Sequence, residues 1–175
     1  MPIRFTASNI RNGRNGGIES ELRGMDQANM DLGILQEKNC IEGIYTRNLA
    51  GYSVVATDAP SQHHGVVAVF YRPSPLFAVE AVRQFGPIVV SFQLATGARR
   101  WYIIGCYLAP DDTSTIDIII AALKERPQGT ALLVVGDLNT TLTDTENDRR
   151  GEIAAALTEA GLEDMAAPFL PCQLR

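Results

Sequence analysis

The chain has 175 residues, a length at which a single domain buries about 70% of the surface that its unfolded form exposes. Its 46% hydrophobic and 20% charged residues exclude a disordered or fibrous protein. The formal net charge of −5 argues against a protein that holds nucleic acid by bulk electrostatic attraction. The longest wholly apolar stretch, residues 101–109, is far shorter than the ~20 residues of a transmembrane helix.

The cysteines and the first residues predict an intracellular, non-secreted protein. Cys40, Cys106 and Cys172 are odd in number and far apart, without the paired spacing of a zinc site. The amino-terminal residues have no basic segment followed by an apolar run, so they do not resemble a secretory signal. We therefore expect free thiols in a reducing compartment.

The first two thirds of the chain are predicted to form strands and one helix. Residues 3–10 predict a strand, and the apolar positions Ile18, Leu22 and Met25 predict a short amphipathic helix after it. A buried strand follows at residues 32–37. Further β-branched and aromatic segments, most of them separated by proline or glycine, predict strands at residues 52–56, 66–72, 77–85, 88–94 and 101–108. Their hairpin-like spacing favours antiparallel pairing.

The remaining residues are predicted to add two helices and one strand. Asp112 and the residues after it predict the start of a helix whose apolar positions share one face. The fully apolar residues 131–135 predict a strand, and a last helix is expected at about residues 148–160. Several antiparallel strands with helices late in the chain predict an α+β sandwich, in which two sheets pack face to face with helices outside.

Three of the predicted strands end on polar side chains that a core would not favour. Asn9 ends the first strand, Glu37 ends the second, and Asp137 and Asn139 follow the apolar strand near residue 135. Strand ends from one side of a sheet lie close together. These carboxylates and amides would therefore form a Mg²⁺ site with oxygen ligands. Taken singly, Glu37 and Asp137 are each better explained as a helix N-cap or a turn acid, but the three sites together favour the metal site.

Five short blocks in this order resemble the endonuclease/exonuclease/phosphatase superfamily, the DNase I-like and exonuclease III-like metal phosphodiesterases. The blocks are Ser8-Asn9-Ile10, Leu35-Gln36-Glu37, residues 65–71, residues 107–110 and Gly136-Asp137-Leu138-Asn139. The resemblance implies a four-layer α/β/β/α sandwich of mainly antiparallel sheets. Residues 107–139 look most like the endonuclease domain of fungal non-LTR retrotransposons, which precedes a reverse transcriptase and nicks target DNA.

The resemblance implies a role for each polar residue. Glu37 matches the family's metal ligand, and Asn9 matches the asparagine that shapes the metal site. Tyr107 matches the tyrosine that contacts the phosphate, although, taken alone, it is better explained as a strand aromatic with its hydroxyl at the sheet edge. Asp137 matches the residue that orients or deprotonates the attacking water, and Asn139 matches the one that binds a substrate oxygen. The implied cofactor is Mg²⁺, with Mn²⁺ as its alternative.

The family pattern continues beyond Asn139 with further strands and a Ser-Asp-His signature, which residues 140–175 do not contain. No histidine follows His64. We therefore expect residues 1–175 to form a single domain that is incomplete at its carboxyl-terminal end, without the family's catalytic Asp/His pair. The only histidines, His63 and His64, do not match the catalytic position, and we interpret them as loop residues.

The expected function is Mg²⁺-dependent phosphodiester hydrolysis by a DNA-nicking domain of a retrotransposon-type polyprotein. DNA is its expected substrate, a downstream reverse transcriptase region is its expected partner, and the nucleus is its site of action if that DNA is chromosomal. The absent histidine predicts impaired activity and leaves open whether the chain is an active enzyme. A phosphatase on the same scaffold and a non-catalytic retroelement remnant or binding module are the alternatives.

Overall fold

The computed structural model describes residues 3–9, 17–38, 46–49, 51–57, 65–97, 99–108, 115–138 and 149–162. These residues form nine strands and three helices. The strands are β1 (Phe5–Asn9), β2 (Leu32–Lys38), β3 (Thr46–Leu49), β4 (Tyr52–Ala56), β5 (Gly65–Tyr71), β6 (Phe77–Gly86), β7 (Val89–Thr96), β8 (Arg100–Tyr107) and β9 (Ala131–Asp137). The helices are α1 (Gly17–Gln27), α2 (Ile116–Lys124) and α3 (Arg149–Glu159).

The strands form two sheets that are mainly antiparallel, as the hairpin-like spacing predicts. The first sheet has the strand order β1-β2-β5-β4-β3, and the second has the order β6-β7-β8-β9. Two pairs of strands are parallel: β1 with β2 in the first sheet and β8 with β9 in the second. All other pairs are antiparallel.

The helices and sheets form four layers with a hydrophobic core between each pair of neighbouring layers. This arrangement confirms the expected α/β/β/α sandwich. Leu22 and Met25 of α1 pack against the outer face of the first sheet. Helices α2 and α3 pack against the outer face of the second sheet, with Ile119 and Ile153 at the centre of that core. The core between the sheets contains Leu32, Ile34, Val67, Val69, Val90, Phe92 and Ile103. Since both faces of β2 are covered, its apolar residues are consecutive and do not alternate with polar ones.

Gly105, near the carboxyl end of β8, allows the two sheets to approach each other closely. A Cβ atom at this position would lie 3.1 to 3.3 Å from side-chain carbons of Val67, Ile34 and Val90. These distances are tighter than ordinary van der Waals contacts, so a larger residue would require the neighbouring side chains to shift by a few tenths of an ångström. The glycine therefore keeps the ends of β2 and β8 close to each other.

The structure differs from the sequence-based prediction at two elements. Strand β3 was not predicted, because Thr46–Leu49 is a four-residue segment with a single strongly apolar residue. Helix α2 begins at Ile116, with the buried Thr115 as its N-cap residue, and Asp112 lies outside the described residues. No helix in the described part of the chain is both long enough and apolar enough to cross a membrane.

Candidate active site

The two parallel strand pairs place four strand ends at one rim of the sandwich. Strands β1 and β2 lie against β8 and β9 across the core between the sheets. Because the strands within each pair run in the same direction, their carboxyl ends share one edge of the molecule. This arrangement brings residues from positions near 9, 37, 107 and 137 to the same rim, as the polar strand ends predict.

Asn9 and Asp137 meet directly at this rim. The Nδ2 of Asn9 donates a hydrogen bond of 3.1 Å to the Oδ2 of Asp137. Strand alternation explains the meeting: Asn9 shares a face of β1 with Phe5, and Asp137 shares a face of β9 with Leu133 and Val135, all of which pack between the sheets. The apolar pattern that builds the core therefore also directs these two polar side chains toward each other.

Tyr107 ends β8 beside Asp137. The parallel register pairs Tyr107 with Asp137. Its side chain is half-buried and packs against the core between the sheets. The Tyr107 N–H donates a hydrogen bond of 3.0 Å to the carbonyl oxygen of Ile88, which lies in the turn between β6 and β7. That turn therefore fixes where the end of β8 lies.

The residue before Asp137 has to be glycine. A Cβ atom at Gly136 would overlap the carbonyl oxygen of Cys106 and would lie 3.1 Å from its Sγ. The glycine thus allows β9 to lie against β8 just before Asp137, whose carbonyl oxygen accepts a hydrogen bond of 2.9 Å from the Leu108 N–H. The pKa of the Cys106 thiol is raised to about 12, mainly by complete burial and further by the negative charge of Asp137.

The remaining predicted residues are described in part or not at all. Glu37 is the sixth residue of β2, opposite Val66 and one position after Gln36, which pairs with Asn9. Its backbone therefore lies at the same rim, while its side chain is outside the described part. Asn139, His63 and His64 lie outside the described residues, so their predicted roles stay predictions.

Two polar residues near the rim were missed by reasoning from the sequence. Gln36 is buried, with 3% of its surface exposed, and shares the inter-sheet face of β2 with Ile34. Thr57 is completely buried at the end of β4, where its hydroxyl accepts from the Val67 N–H at 3.1 Å and donates to the Pro87 carbonyl oxygen. A glutamine within an otherwise apolar strand was the available signal for Gln36; no comparable signal marks Thr57.

The donors at this rim are oxygen atoms of the kind that Mg²⁺ prefers. Asp137 supplies a carboxylate and Asn9 an amide oxygen, since the amide nitrogen of Asn9 is the atom that contacts Asp137. Among the described residues there is no group of three histidine, cysteine, aspartate or glutamate residues that could hold a metal. The side chain of Glu37 lies outside the described part of the chain, so its role as a metal ligand stays a prediction.

The solved structures that are similar to this chain include the following three. The endonuclease domain of TRAS1, a telomere-specific non-LTR retrotransposon, has a TM-score of 0.67 and 20% identity over 93% of this chain and 72% of its own. An AP endonuclease from Archaeoglobus fulgidus has a TM-score of 0.70 and 15% identity over 98% of this chain and 76% of its own. An endonuclease/exonuclease/phosphatase family protein from Bacteroides thetaiotaomicron has a TM-score of 0.59 and 14% identity over 91% and 67% of the two chains.

These identities are low, and no protein-family model and no curated protein sequence matches the chain. The likeness is therefore one of backbone fold, which in this chain consists of two facing sheets with helices on both outer faces. This is the architecture that the five sequence blocks predict. The chain has the DNase I-like fold of the endonuclease/exonuclease/phosphatase proteins.

Proposed function

We propose that the protein is a Mg²⁺-dependent phosphodiesterase that nicks DNA. The observation that carries this proposal is the hydrogen bond between Asn9 and Asp137, which joins two of the predicted site residues at the rim. Two structures of similar fold, the TRAS1 endonuclease domain and the AP endonuclease, are nucleases by name. Their fold supports nuclease chemistry at the same rim of this chain.

The geometry suits Asp137 to the task of orienting the attacking water. Its carboxylate is held by Asn9 through Oδ2 and is half-buried at the end of β9. A carboxylate that is positioned by a neighbouring amide can accept a proton from a water molecule and fix its approach to a phosphate. Tyr107, paired with Asp137 in the register, would place its hydroxyl beside the same phosphate.

The oxygen donors of the rim fit a divalent cation. Glu37 and Asn9 would hold Mg²⁺, with Mn²⁺ as the alternative ion, and the ion would supply positive charge next to the scissile phosphate. The overall charge of −5 also makes direct attraction between the chain and DNA weak. A bound cation would thus contribute to substrate binding as well as to hydrolysis.

The similarity to the TRAS1 domain supports a finer proposal. We infer that the chain acts within a retrotransposon-type polyprotein, in the nucleus, with a reverse transcriptase region as its partner. The two histidines among residues 1–175, His63 and His64, do not match the position of the catalytic histidine that the resemblance implies. We therefore expect residues 1–175 to nick DNA about 10²-fold or more slowly than a domain with a histidine at that position. One preorganised catalytic group typically contributes that much to the rate.

A plasmid assay tests the proposal. The protein is incubated with supercoiled plasmid in Mg²⁺, in Mn²⁺ and in EDTA, and Mg²⁺ binding is measured separately by calorimetry. We expect slow conversion to the nicked circle that requires the metal and is lost in Glu37→Gln and Asp137→Asn. Nicking that persists in EDTA, or in both variants, would contradict the proposal, as would hydrolysis of phosphate monoesters in preference to DNA. The last result would favour a phosphatase.

A further inference from the structure

Gln36 lies near the end of β2, on the face that is directed toward the core between the sheets. It pairs with Asn9 in the register of β1 with β2, and with Val67 in the register of β2 with β5. Because the side chains of a strand alternate between its two faces, Gln36 follows Ile34 on the inter-sheet face, one step nearer the rim. Gln36 is therefore the neighbour of Asn9, the residue that binds Asp137.

The side-chain amide of Gln36 is buried and has no hydrogen-bonding partner in the described part of the chain. The residue is 3% exposed, and none of the side-chain hydrogen bonds of the described residues includes it. The other buried polar residue near this rim differs: Thr57 binds both the Val67 N–H and the Pro87 carbonyl oxygen. Buried polar groups nearly always have a partner, because an unsatisfied one destabilises the fold. A buried amide without one indicates a ligand.

The charge at this rim favours a cation over an anion as that ligand. Asp137 carries a carboxylate whose field extends into the core, since the pKa of the Cys106 thiol is raised by burial and further by the charge of Asp137. A phosphate group alone would be repelled by this carboxylate. The amide oxygens of Gln36 and Asn9 accept hydrogen bonds, and the water molecules that Mg²⁺ retains in protein sites donate them.

We propose that Gln36 is a further residue of the metal site and that its amide oxygen binds the hydration shell of a divalent cation. The inference rests on the metal site of the proposed function, in which Glu37 and Asn9 would contact the ion itself. Glu37 follows Gln36 directly in β2, so the end of one strand would provide both a ligand and a group that binds the shell. Groups that act through a metal's ligands or waters typically contribute about 10- to 100-fold to its affinity.

Gln36→Met tests the amide while keeping nearly the same side-chain shape. Since the amide has no partner in the described part of the chain, this variant should have an unchanged or higher denaturation midpoint in EDTA. Its Kd for Mg²⁺, measured by calorimetry, should rise by about 10- to 100-fold. The matched control is Gln93→Met, because Gln93 also lies within a strand but pairs with Tyr102, near the start of β8 and away from the rim. The control should leave the Kd unchanged.

Hexaamminecobalt(III) tests whether the contact is with the shell of the ion. Its ammonia ligands donate hydrogen bonds as water does, and they stay on the metal, so the complex binds only through contacts with its shell. Gln36→Met should weaken its binding by at least about 10-fold, as for Mg²⁺. A variant that loses affinity for Mg²⁺ and binds hexaamminecobalt(III) as the unmodified chain does would overturn the shell contact.

A third measurement uses the unmodified chain and does not depend on how a variant folds. In NMR spectra, the side-chain amide resonances of Gln36 should shift as Mg²⁺ is added, and the shift should saturate at the concentrations that the calorimetric Kd predicts. Resonances of Gln93 should stay in place. Shifts of equal size at both glutamines would contradict a specific contact at Gln36.

The failure of this inference differs from a failure of the proposed function. If Gln36→Met and the unmodified chain bind Mg²⁺ equally well, the inference is overturned and the proposed function stands. If the unmodified chain does not bind Mg²⁺, both are overturned. A lower denaturation midpoint of Gln36→Met in EDTA, together with an unchanged Kd, would show that the glutamine only stabilises the fold, and this result too would overturn the inference.

Discussion

Asn9 and Asp137 are 128 positions apart in the sequence, and their side chains are joined by a hydrogen bond of 3.1 Å. Each residue ends a strand at the edge of its own sheet, so the bond ties the two sheets together at their shared rim. A contact of this kind depends on the whole sandwich being assembled. It also holds the Asp137 carboxylate in one orientation, which is what a group that directs a water molecule needs.

Replacing Asn9 by alanine should lower the rate of metal-dependent nicking by about 10- to 100-fold, since Asp137 loses the donor that orients it. Stability should change by less than about 1 kcal/mol, because this hydrogen bond is exposed. The measurement pairs nicking rates with thermal unfolding. Ser8→Ala is the matched control: Ser8 is the neighbouring residue, and its hydroxyl contacts Glu21 of α1 at 3.5 Å. An equal loss of activity in both variants would show that the Asn9–Asp137 bond has no special role.

Gly136→Ala should destabilise the protein by about 1–3 kcal/mol and reduce activity as well. The added methyl group would overlap the Cys106 carbonyl oxygen, so β8 and β9 have to separate just before Asp137. Chemical denaturation gives the free energy of unfolding. Gly24→Ala in helix α1 is the control, since no atom lies within 4 Å of its Cβ position and alanine is favoured in helices. That variant should be more stable than the unmodified chain, by about 0.5–1 kcal/mol.

The sequence predicts most of the strands because their local signals are strong. Strand β4 begins and ends at the predicted residues, Tyr52 and Ala56, since proline, glycine and polar residues separate the apolar segments of the chain. Strand β3 was missed because four mostly polar residues carry no alternating pattern. It is a strand because it pairs with β4, and such pairing cannot be predicted from the preferences of the local sequence.

Part of the candidate site could also be predicted from the sequence. The meeting of Asn9 and Asp137 was expected from the polar residues at strand ends and from the family resemblance, and the structure places them in contact. Gln36 was passed over because polar residues are usually exposed, whereas here β2 is covered on both faces. Thr57 could not be found from the sequence, since its partner Pro87 lies in the turn between two strands of the other sheet and only the packing of the two sheets brings them together.

Thr57→Val should destabilise the protein by about 1–3 kcal/mol although the side chain keeps nearly the same shape. The hydroxyl contacts the Pro87 carbonyl oxygen and the Val67 N–H in a fully buried position, and both groups would lose a partner. Because the turn at Pro87 leads into Ile88, whose carbonyl oxygen holds the Tyr107 N–H, we also expect nicking to slow. Thr57→Ser retains the hydroxyl and is the control. If valine and serine variants unfold at the same denaturant concentration, the hydrogen bonds are not the reason for the loss.

The stability of the protein should fall as the pH rises above about 9, because of Cys106. Burial raises the pKa of its thiol from the ordinary value of 9.0 to about 12, so the unfolded chain releases this proton at a pH where the folded chain retains it. Between these two values the unfolded state gains about 1.4 kcal/mol per pH unit relative to the folded state, and below pH 9 the thiol contributes no pH dependence. Denaturation curves from pH 8 to 11 measure this slope. Cys106→Ala should flatten it, leaving the part that comes from Tyr102, whose pKa is also raised by burial. An unchanged slope in Cys106→Ala would show that the thiol is not the responsible group.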